Sequence, residues 1–221
     1  MTERLPLFPL STVLFPGAEL PLRIFEPRYV LLLHDLLRLP PEQRCFGVVA
    51  LRLGHEVGPD AALDLHEIGC ATTLLEISPL GMAQYAVRTR AARRFALSAV
   101  LRPDSTDKPY LLADVTWLDE PDGADPTTLA SQRDRLAGEL AAYRRVVQER
   151  PVTLPTDPAD ASYRLGDAIH LDTTDRQALL AAPSTADRLA LGRQLLARET
   201  GIVQRLRALP RPVDPGAAGL N

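Results

Sequence analysis

Glu26 and Arg28 stand on either side of Pro27 in "FPGAELPLRIFEPRY", residues 15–29, a stretch that is otherwise apolar. An acid and a base this close can form a catalytic pair, half of a ligand pocket, or a brace between a strand and a helix. Catalysis needs a second carboxylate or a nucleophile beside the pair, and the local sequence offers neither. Residues two apart on a continuous helix lie about 200° apart and do not meet, so the two side chains are expected to serve different partners. Glu26 would accept orphan N–H groups at a helix start, and Arg28 would reach back to strand carbonyls or to an acid elsewhere. The structural brace is the preferred reading.

Other chemistry has little to work with. The chain has 24 arginines and a single lysine, Lys108. A nucleotide-hydrolysing loop needs glycines closed by Lys and Ser or Thr, and no glycine loop precedes Lys108. A Ser–Lys dyad needs a desolvated lysine, whereas Lys108 lies in the polar "PDSTDKP". His55, His66, Cys70 and Cys45 could be imagined around zinc, but their spacing matches no common zinc motif. His34 and His170 fall on expected helices with no nucleophile signature nearby. No catalytic residue, cofactor or metal is expected.

Net charge is −3 over 221 residues, which gives no overall attraction to nucleic acid or anionic lipid. The one cationic cluster, "RTRAARR" at 88–94, has Tyr85 and Phe95 as potential stacking surfaces, but a solvated strand face explains it more simply. Cys45 and Cys70 sit in strand-like segments and read as reduced core thiols. The sequence contains no apolar run long enough to cross a bilayer, and with two charges by residue 4 and prolines at 6 and 9 no secretory leader is expected, so the cytoplasm is the expected location.

Positioning these residues requires two kinds of element. From residue 5 to about 118 the pattern has period two, broken by Pro, Gly and short polar runs, which predicts short strands of an antiparallel sheet or barrel. In "AELPLRI" Leu20, Leu22 and Ile24 face one way. Pro27 then suits the first position of a helix running to Pro40-Pro41, with Val30, Leu33 and Leu37 on one side. Strands resume at 45–51 and at 67–77, where Ala71, Thr73, Leu75 and Ile77 share a face. "SPLGM" reads as a turn, with Pro79 presetting φ and Gly81 free to take a positive value. Return strands "QYAVRTRA" and "RFALSAVL" bury Tyr85, Val87, Thr89, Phe95, Leu97 and Ala99. A last one buries Leu111, Ala113, Val115 and Trp117. That predicts about six strands and one helix.

"DEPDGADP", residues 119–126, marks a boundary. Beyond it the period is helical. Leu129, Leu136, Leu140, Tyr143 and Val147 trace one stripe, and Pro151 stops that helix. Shorter helices are predicted at 161–170 and 174–182. The last starts at "STAD", where Ser184 caps and Asp187 reaches back, and runs to about Leu209. Its stripes Leu189–Leu196–Val203 and Leu195–Ile202–Leu209 make a wide apolar face. The ending, 210–221, is too rich in Pro and Gly to fold alone.

The sequence also resembles a known family. "LPLFPLSTVLFPGAELPLRIFEPRYVLLL", residues 5–33, looks like the opening of the Lon protease N-terminal domain, the substrate-recognition module of those proteases. Phe15, Pro16, Gly17, Phe25, Glu26, Arg28 and Tyr29 carry the likeness. "FGVV" at 46–49, "RRF" at 93–95, "PY" at 109–110 and "LLAAPSTADRLALGRQLL" at 179–196 continue it. The chain departs at Ala91, where the family usually has glycine, and in having "SPLGM" where the family has an acidic turn. The resemblance implies an α+β fold: a PUA-like antiparallel pseudo-barrel with one helix over 1–120, a C-terminal helical bundle over 121–209, and a flexible tail at 210–221. It also implies a bacterial, non-catalytic module without ATPase or peptidase parts, binding exposed apolar segments of unfolded polypeptides and feeding a protease or chaperone. Leu80 and Met82 are the expected protein-binding residues, because turn residues are normally polar and methionine adapts to varied partners. The rival reading is an RNA or small-molecule binder that uses the barrel and Arg88, Arg90, Arg93 and Arg94.

Overall fold

The computed structural model describes residues 3–52 and 64–206. His55, Leu209 and the expected tail at 210–221 lie outside the described residues. The rest divides into two compact units that part between Leu118 and Asp119.

Among the described residues the first unit holds six strands: β1 (Glu3–Leu10), β2 (Glu19–Ile24), β3 (Cys45–Ala50), β4 (Ile68–Gly81), β5 (Gln84–Leu101) and β6 (Leu112–Trp117). The helix α1 (Pro27–Leu37) lies between β2 and β3. The sheet order is β2-β5-β4-β3-β1-β6, and an additional β5–β6 pairing closes β5, β4, β3, β1 and β6 into a ring with β2 outside it. The expectation of a wholly antiparallel barrel is corrected at one place: β1 and β3 are parallel, with Leu7 opposite Gly47. The reason is connectivity, since β2 and α1 supply the long crossover that a parallel pair requires. A second correction concerns β5, expected as two strands and found as one of 18 residues.

Inside the ring, Phe95 is fully buried and lies directly opposite Gly69. A Cβ placed on Gly69 would come within 2.5 Å of both the Phe95 ring and the Val48 carbonyl oxygen, and one on Gly47 within 2.7 Å of the same ring. The two glycines therefore form the slot that the aromatic ring fills. A second core cluster gathers Phe8, Leu22, Ile24, Phe46 and Val48 under α1, which contributes Tyr29, Val30, Leu33 and Leu36. Asp35 fastens the solvent side of α1, accepting hydrogen bonds from Tyr110 Oη at 2.7 Å and Lys108 Nζ at 3.0 Å. The Tyr110 hydroxyl and the Lys108 ammonium hold the Asp35 carboxyl below its ordinary value. Burial and the Asp35 partner push the Tyr110 phenol up.

The second unit contains α2 (Pro126–Val146), α3 (Pro158–Ala168), α4 (Thr173–Ala181) and α5 (Thr185–Leu206), with α5 packed on the other three. Each helix start has an oxygen-bearing cap. Asp125 accepts from the N–H groups of Thr127 and Thr128. Asp157 and Asp172 each accept from the N–H three residues on. Ser184 Oγ accepts from Asp187 N–H at 3.1 Å and donates to the Asp187 carboxylate at 2.6 Å. Leu129, Leu136, Leu140, Tyr143 and Val147 are all buried, as are Leu189, Leu195, Leu196 and Val203, but Ile202 breaks the second stripe of α5 by facing solvent.

Pattern reading missed the centre of this unit. Arg188 is fully buried on α5. It donates to Ser162 Oγ at 2.8 Å, to the Ala182 carbonyl at 3.2 Å and to Glu120 Oε2 at 3.3 Å. Its guanidinium carbon also sits 3.8 Å from the Tyr163 ring centroid, and Tyr163 Oη donates to the same Glu120 oxygen.

Three outcomes are expected. Arg188→Ala should lose about 3–5 kcal/mol in urea unfolding, because Glu120, Ser162 and the Ala182 carbonyl lose a shared buried donor; an unchanged midpoint would show that the guanidinium ties nothing together. Gly69→Ala should cost about 1–3 kcal/mol, since a backbone carbonyl cannot rotate away from the added methyl. Asp35→Asn should act through pH. The native carboxyl titrates below the unfolded value of about 3.9, so its contribution is present above that pH and drains as pH falls through the lower native value. The variant should melt below wild type near neutrality and converge with it in acid, and parallel melting curves at every pH would refute the assignment.

Candidate functional site

The segment leading into the first helix holds the paired acid and base of the sequence. Phe15 is buried, and Gly17 beyond Pro16 donates its N–H to the Ala91 carbonyl at 3.0 Å. Ala91 returns its own N–H to the Ala18 carbonyl at 2.9 Å, and its methyl group is part of the core under α1. Alanine at this junction therefore packs without a positive φ. Tyr29 is buried with its ring 4.1 Å from that of Phe8, and burial pushes its phenol up.

Glu26 and Arg28 meet, contrary to the expectation of separate partners. Arg28 Nε donates to Glu26 Oε2 at 2.8 Å and Nη2 lies 2.7 Å from the same oxygen. The physical reason is that Glu26 is the extended residue before the helix, with φ −69° and ψ 132°, so the 100° step of a helix does not separate the pair. Nor does the Glu26 side chain cap α1; its backbone carbonyl instead accepts the N–H of Tyr29 and Val30. Arg28 completes the arrangement by stacking 4.6 Å from the centroid of the Tyr29 ring. The group is a small clasp at the foot of the helix.

Three of the remaining polar candidates have structural partners. Lys108 is paired with Asp35. His34 Nε2 lies 3.0 Å from Tyr85 Oη, and His170 Nε2 lies 2.5 Å from Glu149 Oε1. Cys45 and Cys70 form no disulfide and lie in neighbouring strands, opposite Thr73 and Val48 respectively. Burial pushes the Cys45 thiol up. Among the described residues no group of three His, Cys, Asp or Glu side chains is placed to hold a metal ion.

The cationic cluster is not a continuous row. Arg88 is 3.1 Å from Glu76, and Arg90 donates to Glu19 at 2.7 Å. Arg93 stacks 5.2 Å from the Trp117 ring centroid, while Arg94 is fully buried. A contact surface made of all four guanidinium groups is therefore corrected, because Arg94 is buried on the face of β5 opposite to Phe95 and offers nothing to a partner.

The β4–β5 hairpin carries the two most exposed large apolar side chains among the described residues, Met82 and Leu80, with Leu75 beside them. Met82 is 92% exposed, Leu80 51% and Leu75 43%. Leu75 was expected to share the inward face of Ala71 and Ile77. It does not, because Leu74 pairs with Thr89 and Glu76 with Arg88, leaving Leu75 as the extra residue of a bulge. Leu80 is likewise extra, between Pro79 opposite Tyr85 and Gly81 opposite Gln84. The turn also differs from expectation. Pro79 and Gly81 belong to β4, and the loop is only Met82–Ala83, whose φ values of 49° and 56° follow 85° at Gly81. Two-residue hairpin loops demand positive φ, which Asn and Gly adopt cheaply and Met and Ala do not.

Phe25, assigned to the structural motif, is 41% exposed. Ile24 pairs with Tyr85 and Arg23 donates to Gln84 at 2.7 Å, so Phe25 leaves β2 at the same end of the barrel as the hairpin tip. Leu31 is also exposed, one turn before His34 with its Tyr85 contact. The parity of Leu20, Leu22 and Ile24 already pointed Phe25 outward. No comparable signal existed for Leu31.

Comparisons with known proteins agree with this architecture. A model of the ATP-dependent protease La (LON) substrate-binding domain matches residues 4–198. Lon protease 1 of Herpetosiphon aurantiacus is 24% identical over 208 residues, covering 90% of this chain and 24% of that protein. Lon protease 1 of Sorangium cellulosum is 29% identical over 225 residues, covering 97% and 27%. The chain thus spans about a quarter of the length of these curated relatives. A crystal structure of a Lon N-terminal domain protein from Xanthomonas campestris superposes with a TM-score of 0.62 at 26% identity, covering 88% of this chain and 98% of that one. The N-terminal domain of a Mycobacterium avium complex Lon protease shares the fold at a TM-score of 0.63 and 17% identity, covering 90% and 98%. Matched over most of its length, the chain belongs to the Lon substrate-binding domain family.

Proposed function

We propose that this chain holds exposed apolar segments of other polypeptides without breaking bonds, and that Leu80 and Met82 at the tip of the β4–β5 hairpin make the contact. The family match supports a substrate-recognition module. The observation that carries the finer reading is the hairpin itself, where two bulges and a left-handed two-residue loop turn Leu75, Leu80 and Met82 toward water. Backbone strain of this kind costs on the order of 1–3 kcal/mol per residue and is retained where the surroundings enforce it, characteristically at binding sites. Exposed apolar side chains gathered on one projection are a recognition surface and a poor catalytic one.

On this reading the ring over 1–120 is a PUA-like barrel that presents the hairpin, and the helices over 121–209 form a separate bundle. The partners are unfolded or partly unfolded polypeptides in the cytoplasm, passed on to a protease or chaperone. The arginines of β5 are occupied by Glu76, Glu19 and Trp117, which weighs against the nucleic-acid alternative.

The test is binding of a permanently unfolded, fluorescently labelled protein to wild type and to the double variant Leu80→Ser/Met82→Ser. Losing two partly buried apolar contacts of about 1 kcal/mol or more each should weaken binding by roughly tenfold or more. The melting temperature should stay unchanged because neither side chain is in a core. Equal affinity of the two proteins would exclude the tip as the contact. Affinity that falls steeply with added salt would transfer the site to the arginines.

A further inference from the structure

The manner of recognition can be taken further, resting on the reading just given. An exposed hairpin with a free outer edge suggests strand addition, in which a client's backbone pairs with the sheet and its side chains fill alternate positions. The strands at this end of the barrel are arranged against it. β4 is paired with β3 only from Cys70 to Thr73, so its outer edge from Leu75 to Gly81 has no strand beside it among those described. That edge contains the extra residues Leu75 and Leu80 and, between them, Pro79. Bulges bend an edge away from flat pairing, and proline removes a ladder donor. β2, the outermost strand on the other side of β5, is six residues long with Pro21 in its interior. Both edges that a client backbone would need are blunted.

The charges on the same ribbon are also settled internally. Glu76 faces Arg88 and Glu19 faces Arg90 across the strands, and Arg23 donates to Gln84. The two carboxylates are matched by Arg88 and Arg90, and the one guanidinium in excess, that of Arg23, is held by the Gln84 amide oxygen. What remains outward is apolar: Leu75, Leu80, Met82 and, at the same end, Phe25. We infer that the occupant is an apolar segment of another polypeptide, gripped through its side chains alone with no backbone pairing, so that a client is read by composition and not by its ability to become a strand.

The experiment uses the full chain and one labelled nine-residue peptide of alternating leucine and serine in three forms: unmodified, N-methylated at the odd positions, and N-methylated at the even positions. N-methylation removes backbone donors and leaves the side chains. The three dissociation constants should agree within about twofold, because no backbone hydrogen bond is lost. Leu75→Ser/Leu80→Ser should weaken all three alike. Loss of about tenfold or more for one methylated set alone would establish strand addition and overturn this inference while leaving the hairpin as the binding site. Failure of all three peptides to bind would overturn both this inference and the proposed function. Sedimentation of the free chain supplies a further check, since a dimer dissolved by the unmodified peptide would make a second copy of the chain the occupant and would also overturn it.

Discussion

β5 is the constraint on which the barrel depends. One uninterrupted strand serves three neighbours, pairing with β4 along most of its length and, on its other edge, with β2 over Tyr85–Arg90 and then with β6 over Phe95–Leu101. A flat strand cannot serve two partners on one edge. The change of partner falls between Ala91, which exchanges hydrogen bonds with the turn after Phe15, and Arg94, whose carbonyl accepts the N–H of Leu118. Ala92 is the extra residue there, and a bulge supplies the bend and added twist that such a change requires. Phe95 enters its glycine slot immediately afterwards. Closure of the ring, the outboard position of β2 and the reach of the hairpin all follow from this single bent element.

The abundance of arginine has a structural counterpart. Arg44 donates to the carbonyl of Leu39 just beyond α1, Arg133 to those of Leu154 and Pro155, Arg144 to those of Arg150 and Ala168, and Arg188 to that of Ala182. These carbonyls sit at helix ends and in connections, where the backbone has no ladder partner. A planar guanidinium with several fixed donors can satisfy two such groups at once, which a lysine ammonium does less well. Much of the positive charge thus acts as mortar between elements, and little of it forms a contiguous field.

The sequence carried the element types well and their exceptions poorly. Period two and period 3.6 are set by which residues face a core, and they located β2, α1, β3, β6 and the long helices to within a few residues. Every failure has a local cause. Bulges at Leu75, Leu80, Ala92 and Ser98 reset parity without any marker in the residue types, so simple alternation puts Leu75 on the wrong face. Glu26 was judged by helical geometry although it precedes the helix. Arg188 did leave a trace, since it occupies the position seven before Leu195 on an otherwise apolar stripe of α5; a charged residue there must be either an error of phase or a satisfied buried ion. Glu120, its partner, was hidden in an acidic run that reads as a linker.

The same failures explain why the surface matters. A strand whose apolar residues all obey parity buries them, and its outward face is then polar. To display leucine from a sheet that also has a core, the chain must break parity, and the β4–β5 hairpin does so twice within six residues before closing on a loop that needs positive φ at Met82 and Ala83. Each departure weakens the local ladder and is tolerable only because β5 is anchored elsewhere by β6, β2 and the Phe95 slot. The cost in local stability is borne by a barrel that has no need of the hairpin tip for its own core. On the function proposed above, a site built this way would gain apolar reach at the expense of backbone pairing, so that segments of different sequence could be held without a unique pose.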